Sequence, residues 1–367
     1  MDSQLRAGYL GSAQAHDAGA PHLAEMWEEE TTSFEGDRKL TFIPIAQCPI
    51  AAPVLWRATE AFLSLANDAA WLRNATLKPD QLELFTTADE SKLQLTLFLR
   101  TTHKSPPARL AADFTTLCES LRTQIPELAG AGIAFLPLAA RSRQSAQPRP
   151  GPAWGSPGLN YTVPDLAPRT SLEPRTPDLE PLRYWVPRGA FFQINRYLIP
   201  ELVALASRTA EASPEKSLAW DLYAGVGLFA KALFSRALAH SFTNVTAVEI
   251  AEHAATALAQ TKLPNLHAVK ATTVEFLRAA VLQRERPSLI VLDPPRTGLG
   301  DDVCSLLARI ASPALLYVSC LPQALARDLA DLTASGYFIR HLHLFDLFPQ
   351  TSHIETVAIL TRSREVP

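Results

Sequence analysis

The chain has 367 residues, of which 47% are hydrophobic and 19% are charged, and its formal net charge is −3. This balance is typical of a globular protein and excludes a wholly disordered, collagen-like or coiled-coil chain; the small net charge gives no overall basic excess of the kind that announces a nucleic-acid-binding protein. The longest uncharged apolar run, 310–326, contains two prolines, and the N-terminus lacks the basic and apolar parts of a signal peptide. We therefore expect a cytoplasmic protein without a membrane span.

The first half of the chain divides into three regions of different composition. Residues 1–39 are acidic and aperiodic and are predicted to be a flexible arm. Residues 40–140 combine helical spacing of apolar residues with a hairpin-like alternation, which predicts a small α+β domain. Residues 141–184 are rich in proline and arginine, so we expect an extended, partly strand-forming segment that bridges two domains.

Residues 185–367 alternate between buried strands and amphipathic helices. This repetition predicts an α/β domain with a doubly wound, mostly parallel sheet, and the last two strands predict a C-terminal antiparallel hairpin. Ligands of such sheets bind at the carboxyl ends of the strands, so the loops at that edge are where we expect the functional residues.

A glycine-rich loop follows the first strand of this domain. Gly225 and Gly227 fall in the pattern G-x-G-x-x-A between a buried strand and a helix, and Glu249 ends the next strand, 249 − 225 = 24 residues beyond the first glycine. Glycines there let the backbone approach a ligand, and a carboxylate at that distance can accept hydrogen bonds from ribose hydroxyls. The loop thus predicts a nucleoside cofactor, with a dinucleotide and a purely packing role still open.

Two prolines follow the acid that ends the fourth strand, in the sequence Asp293-Pro294-Pro295-Arg296. Their rings make a rigid loop without backbone donors, which suits a wall against a flat ring and is not a feature of dinucleotide sites. This loop favours a cofactor other than a dinucleotide.

A cysteine and a glutamate are predicted to emerge at the same edge. Cys320 follows the fifth strand and precedes a helix with Pro322 in its first turn, where the helix dipole is expected to lower the thiol pKa. Glu355 interrupts the otherwise apolar strand IETVAIL of the hairpin. The competing interpretations are an inert core cysteine and a solvated strand-end acid.

The other three cysteines indicate no metal centre. Cys48, Cys118 and Cys304 are far apart in sequence from each other, and no C-x-x-C is present. This spacing argues against a zinc site, an iron–sulfur cluster held by one loop, or a disulfide scaffold. We assign these three thiols to packing.

Six motifs occur in order between Pro187 and Leu360: FFQIN, DLYAGVG, AVE, DPPRTGL, YVSCLP and DLFPQTSHIE. In these motifs the chain resembles the S-adenosylmethionine-dependent RNA 5-methyluridine methyltransferases that act on tRNA or on large-subunit (23S) ribosomal RNA. The resemblance implies a Rossmann-like class I methyltransferase domain with S-adenosylmethionine as cofactor and RNA as partner. It also implies roles for individual residues: cofactor contacts at Gln193, Tyr223, Gly225, Gly227, Glu249 and Asp293, the nucleophile at Cys320 and the base at Glu355.

The chemistry of uracil methylation also calls for such a pair. Carbon 5 of uracil is a poor nucleophile, so a thiolate adds to carbon 6, and a base later removes the proton from carbon 5. A stacked uridine must flip out to reach both groups. Arg296, with Pro294 and Pro295 beside it, is the candidate substrate contact, against the alternative of an ordinary surface arginine.

The chain also departs from the family pattern. Leu321 replaces an Asn often found after the nucleophile, and Ala224 stands where Cys is frequent. We expect neither the small β-barrel domain nor the iron–sulfur cluster of many ribosomal-RNA members, no other metal, and a monomer that recognises RNA through the α+β domain and the arginine-rich segment. The alternatives are methylation of cytosine or a small molecule, an inactive RNA-binding relative, and a nicotinamide-dependent oxidoreductase.

Overall fold

A computed structural model of the protein describes most of the chain. The described residues are 8–12, 33–35, 38–73, 77–101, 107–138, 148–164, 181–213, 215–234, 242–261, 263–351 and 353–362. The chain divides into two compact units, Met1–Leu159 with Pro349–Ser352, and Asn160–Phe348 with His353–Pro367. None of the described helices combines the length with the apolar composition that spanning a lipid bilayer requires.

The first unit combines a small three-stranded sheet with two helices and a four-stranded sheet. Its elements are β1 Gly8–Ser12, β2 Ser33–Glu35, β3 Arg38–Pro44, α1 Pro53–Asp68, β4 Leu77–Thr86, β5 Leu93–Thr101, α2 Leu110–Gln124, β6 Leu128–Pro137 and β7 Arg149–Gly155. The four-stranded sheet has the order β4-β5-β6-β7. Strands β5 and β6 are parallel with α2 between them in sequence, and β4–β5 is an antiparallel hairpin, as its alternating sequence indicates.

Side chains of α1, α2 and the central strands form the core of this unit. Strand β5 is buried along nearly its whole length, and Cys118 of α2 lies inside the same core, as expected for a packing role. Apolar residues recur at helical spacing in both helices, so each helix buries one face against the sheet.

The structure differs from the predicted domain boundaries. Strands β1 and β2 lie inside the predicted arm, 1–39, and β3 crosses its end. Strand β7 lies inside the predicted bridge, 141–184, and joins the sheet of the first unit, whose boundary falls after Leu159. The prolines of β7 are tolerated because it is an edge strand, which needs hydrogen bonds on one side only. Residues 165–180 of the bridge lie outside the described residues.

The second unit is built on a seven-stranded sheet. Its elements are β8 Gly158–Thr162 at the boundary, β9 Arg183–Pro187, α3 Ile199–Glu211, β10 Leu218–Leu222, α4 Leu228–Phe234, β11 Asn244–Glu249, α5 Glu252–Ala259, β12 Leu266–Lys270, α6 Thr273–Gln283, β13 Leu289–Leu292, α7 Gly300–Ile310, β14 Ala314–Ser319, α8 Pro322–Ala334, β15 Phe338–Phe345 and β16 Glu355–Thr361. The sheet order is β12-β11-β10-β13-β14-β16-β15.

Strands β10 to β14 are parallel, and only β16 and β15 run antiparallel to their neighbours. The prediction of a doubly wound, mostly parallel sheet with a C-terminal antiparallel hairpin is therefore confirmed. All four residues of β13 are buried because it lies at the centre of a sheet with helices on both faces. The carboxyl ends of β10, β11, β13 and β14 consequently meet at one edge.

Candidate active site

The loop after β10 turns sharply before α4. Gly225 has φ of 56° and Gly227 has φ of 88°, both in the left-handed region that glycine adopts without strain. A Cβ on Gly227 would come within 2.7 Å of Leu258 Cδ1, whereas no atom lies within 4 Å of the Cβ position of Gly225. Gly227 is therefore required for close packing of the helix, and Gly225 leaves open space beside the loop.

Glu249, at the end of β11, ties this loop to the next one. Its Oε2 accepts a hydrogen bond from the Gly225 N–H at 2.8 Å, and its Oε1 accepts one from the Ala251 N–H at 2.6 Å. Each carboxylate oxygen has a second lone pair, so both can still accept a hydrogen bond from a ligand hydroxyl. Ligand binding by this carboxylate stays a prediction, and the structure adds a role for Glu249 in holding the loop.

Tyr223 lies between β10 and the glycine loop. Its φ of 64° is unusual for a residue with a side chain, and its half-buried ring packs against the core of the sheet. Burial raises the pKa of the Tyr223 hydroxyl, and a hydrogen bond with Thr273 partly opposes that shift. The left-handed turn brings this ring to the same edge as the loop.

Asp221 in β10 is a buried acid that the sequence analysis did not single out. Its side chain is fully buried, its Oδ2 accepts a hydrogen bond from the Ala230 N–H at 2.7 Å, and its Oδ1 has no partner among the described residues. Burial raises the Asp221 pKa to about 8; repulsion from Asp293 and Glu249 adds to the shift, and the Ala230 hydrogen bond opposes it. An acid in an otherwise apolar parallel strand was the available signal.

Asp293 follows β13 next to Asp221. Its N–H donates to the Leu222 carbonyl at 3.3 Å, which joins the ends of the two central strands. Burial raises the Asp293 pKa to about 7. Of the two prolines that follow, Pro294 is buried and Pro295 is exposed, so the rigid loop leaves one ring facing outward.

Gln193 lies between β9 and α3 with its side chain only 6% exposed. Among the described residues, Gln193 forms no hydrogen bond to the other predicted cofactor contacts. Its neighbours Phe191 and Ile194 are strongly exposed, and Asn195 Nδ2 donates to the Leu347 carbonyl at 3.0 Å. The segment is thus anchored next to the loop of the C-terminal hairpin.

Strand pairing brings Cys320 and Glu355 together. In the antiparallel ladder between β14 and β16, Ser319 is opposite Thr356. Cys320 comes directly after the first residue of this pair, and Glu355 comes directly before the second. Cys320 is half-buried, and Glu355 is only 3% exposed although it carries a carboxyl group. The predicted nucleophile and the predicted base therefore face the same edge from neighbouring strands.

The prediction of a lowered thiol pKa at Cys320 is wrong for this structure. Burial raises the pKa of the thiol, the carboxyl groups of Glu355 and Asp293 raise it further, and the Arg296 guanidinium partly opposes them. That prediction rested on the dipole of the helix after Cys320 and did not include burial or the charges of these neighbouring groups. Pro322 also begins that helix, and a proline has no N–H to offer the thiol.

The pKa of Glu355 is raised as well. Burial raises its pKa to about 8, Asp293 raises it further, and Arg296 lowers it. The exposed Arg296 approaches His353, with its Nη2 at 3.5 Å from His353 Nε2. A thiol and a carboxyl group that both hold their protons near neutral pH, beside one arginine, form an arrangement suited to nucleophilic and acid–base chemistry.

Metal ligands are not evident at this edge. Within the ranges that the structure describes, no three His, Cys, Asp or Glu side chains come together as a group that could hold a metal ion. Cys304 lies buried in the core beside α8, and Cys48 is buried in the first unit.

Two of the proteins with similar sequences are named as ribosomal RNA methyltransferases. The chain is 34% identical over 184 residues to a 23S rRNA (uracil(747)-C(5))-methyltransferase RlmC of Citrobacter koseri. The matched residues make up 49% of this chain and 46% of that protein. It is 35% identical over 173 residues to the Shewanella amazonensis protein of the same name, covering 47% and 44%. The chain thus matches about half the length of these relatives.

A solved structure shares the fold. The Pyrococcus abyssi tRNA (uracil-54, C5)-methyltransferase, in complex with S-adenosyl-L-homocysteine, has a TM-score of 0.60 and 18% sequence identity, covering 98% of this chain and 77% of that one. The second unit accordingly has the Rossmann-like fold of an S-adenosylmethionine-dependent methyltransferase.

The family model described as tRNA (Uracil-5-)-methyltransferase matches residues 178–363, which is 186 of the 367 residues of the chain. That stretch contains every residue named above at the carboxyl edge of the sheet, including Cys320 and Glu355. The chain is a member of the tRNA (uracil-5-)-methyltransferase family.

Proposed function

We propose that this protein methylates carbon 5 of a uridine in RNA, with S-adenosylmethionine as the methyl donor. The observation that carries the proposal is the register of β14 and β16: Cys320 and Glu355 directly flank its last pair, Ser319 and Thr356, at the edge that also holds the glycine loop. A thiol next to a buried carboxyl group is the pair that this reaction needs.

The residues at this edge fit the cofactor. Open space beside Gly225 admits a ligand close to the backbone, and the Glu249 oxygens can accept from ribose hydroxyls. Asp221 offers a buried oxygen without a partner just below the loop. Tyr223, Asp293 and Gln193 are the further proposed contacts. When bound there, S-adenosylmethionine supplies an electrophilic methyl group.

Cys320 and Glu355 would act in sequence on the uracil ring. The Cys320 thiol is protonated in the free protein, so it must lose its proton to solvent when the uracil binds. The positive charge of Arg296 favours this loss. The thiolate forms a bond to carbon 6, and carbon 5 gains an electron pair. With that pair carbon 5 takes the methyl group, whose bond to the sulfur of the donor breaks as the new bond forms. Glu355 also holds a proton in the free protein and must release it to solvent before it can act. Its carboxylate then takes the proton from carbon 5, and the carbon–sulfur bond breaks to restore the ring and the thiolate. A carboxylate with a pKa of about 8 is a stronger base than an ordinary glutamate.

The substrate is proposed as RNA without a choice between tRNA and 23S rRNA. The relatives are named for ribosomal RNA, whereas the family description and the similar structure refer to tRNA. Recognition by the α+β unit and the arginine-rich segment, a monomeric state and a cytoplasmic location stay predictions.

The test is to incubate the protein with S-adenosylmethionine and unmodified tRNA or 23S rRNA, digest the RNA and measure 5-methyluridine by mass spectrometry. Wild type should form 5-methyluridine in one RNA, and Cys320→Ala should form none while keeping its affinity for the cofactor. Cys304→Ala, a change at a thiol in the core, is the matched control and should retain methylation. Formation of 5-methyluridine by Cys320→Ala would contradict the proposal, as would its absence with both RNAs and a cofactor-binding wild type.

A further inference from the structure

A buried carboxylate lies behind the edge and takes no part in the chemistry above. Asp328 in α8 has no exposed surface. Its Oδ2 accepts hydrogen bonds from the Leu299 N–H at 2.6 Å and the Tyr317 hydroxyl at 2.7 Å, and its Oδ1 accepts one from Arg327 Nη2 at 2.8 Å. One side chain therefore joins α8, the strand β14 that precedes Cys320, and the loop after β13.

The same group holds the loop that carries Arg296. Arg327 Nη2 also donates to the Thr297 carbonyl at 2.7 Å, and the Gly298 N–H donates to the Pro295 carbonyl at 2.8 Å. Together with the Leu299 contact, these bonds fix the backbone directly after Arg296. The guanidinium of Arg296 projects from a loop whose following residues are anchored to α8.

Gly298 shows how close this approach is. Its φ is +77°, and an added Cβ would come within 2.4 Å of Asp328 Oδ2 and 2.8 Å of Arg327 Nη2. With any other residue at position 298, either the loop or the Asp328 carboxylate would have to move.

The position of Arg296 matters because it is the positive charge that acts on the proposed pair. The charged groups that face Cys320 are Glu355 from β16 and Asp293 and Arg296 from the loop after β13. Only the arginine favours the thiolate, and it also favours the ionised form of Glu355. A shift of the loop would change the protonation of both groups.

We propose that Asp328 is a positioning residue for Arg296: by holding the loop after β13 against α8, it keeps the guanidinium beside Cys320 and Glu355. The purpose of this arrangement rests on the proposed function, because a thiolate is needed for attack on uracil. Its test needs no RNA.

The experiment follows alkylation of Cys320 by iodoacetamide in the full chain as a function of pH, with peptide mass spectrometry to separate Cys320 from the other cysteines. In Asp328→Asn and in Arg296→Ala the midpoint of the profile should rise by about one pH unit, which makes alkylation below the midpoint about tenfold slower. Arg327→Ala should shift it in the same direction by less. Asp331→Asn, the same change at an exposed position of α8, is the matched control and should follow wild type.

An Asp328→Asn protein with native circular dichroism and a profile equal to that of Asp331→Asn would overturn the proposal. An unchanged midpoint in Arg296→Ala would overturn it as well. If Asp328→Asn does not fold, Arg327→Ala replaces it as the test variant, since the Arg327 side chain is 51% exposed and its loss spares the core. An unchanged alkylation midpoint in Arg327→Ala would then contradict the proposal. Failure of RNA methylation would leave these results unaffected, so the two proposals fail separately.

Discussion

Three carboxyl groups at the edge of the sheet have raised pKa values because they are buried: Asp221 to about 8, Asp293 to about 7 and Glu355 to about 8. Buried acids without a cationic partner destabilise a fold once they ionise. Their concentration at one edge is typical of a functional site, where the arrangement serves ligands and chemistry at the expense of stability.

Asp221 allows this to be tested at a single residue. Its pKa in the folded chain is raised from 3.8 to about 8, so between these values the folded state holds a proton that the unfolded state has released, and stability falls as pH rises. Asp221→Asn removes this dependence. The Tm of Asp221→Asn minus that of wild type should therefore be larger at pH 8 than at pH 5. The increase should be about 2–4 °C or more, since ~1 kcal/mol has this effect in a domain of about 200 residues.

The control for this prediction is Asp301→Asn, the same change at an exposed position of α7. Differential scanning calorimetry at both pH values provides the comparison. A Tm difference between Asp221→Asn and wild type that is the same at pH 5 and pH 8 would show that Asp221 ionises normally in the fold.

At the scale of elements, the turn between β10 and α4 contains two glycines that are needed for different reasons: Gly227 for packing and Gly225 for open space beside the loop. Alanine at Gly225 or Gly227 forces a left-handed conformation that costs about 1 kcal/mol or more. Only Gly227→Ala also meets Leu258, so it should lower the Tm further than Gly225→Ala. Gly225→Ala instead fills open space beside the loop and should weaken S-adenosylmethionine binding about tenfold or more while retaining more of the stability.

Thermal unfolding and isothermal titration calorimetry of the two variants test the pair directly. Equal cofactor affinity in Gly225→Ala and wild type would mean that the open space is not the cofactor site. Equal stability of the two variants would mean that the Leu258 contact relaxes without loss.

The alternation of strands and helices was sufficient to predict the sheet and its hairpin, because buried parallel strands and amphipathic helices have distinct periods. The sequence also placed Cys320 and Glu355 at one edge. It could not show that they flank the same pair of strand residues, because that depends on the pairing of β16 with β14 and not with another strand. The direction of the thiol pKa shift was predicted wrongly because the sequence does not show that Cys320 is half-buried, nor that Glu355 and Asp293, which come from other parts of the chain, lie beside it. Asp328 was missed because an acid in an amphipathic helix normally indicates its solvent face.

At the scale of the whole molecule, a net charge of −3 gives little general attraction for RNA, so the positions of the positive charges must matter. Arg296 follows the carboxyl end of β13, whereas Arg309 near the end of α7 lies toward the opposite edge of the sheet. Both side chains are exposed. Arg296→Glu and Arg309→Glu change the net charge equally but at opposite edges.

Arg296→Glu should weaken RNA binding and reduce the salt dependence of log Kd by about one, the effect of one lost phosphate contact, whereas Arg309→Glu should leave both close to wild type. Fluorescence anisotropy with labelled RNA over a range of salt concentrations measures both. Equal losses in the two variants would indicate a general charge effect and no RNA contact at the carboxyl edge.

The assignment of Cys320 and Glu355 can be tested by trapping the intermediate that joins the protein to its RNA. Glu355→Gln keeps the size of the side chain but cannot remove the carbon-5 proton, so the carbon–sulfur bond should persist after methyl transfer. With S-adenosylmethionine and the substrate RNA, this variant should give a covalent complex on a denaturing gel, and mass spectrometry should find a methylated uridine on Cys320. Glu355→Gln combined with Cys320→Ala should give no complex. A Glu355→Gln protein that binds cofactor and RNA but forms no adduct, or an adduct on another residue, would contradict the assignment of nucleophile and base.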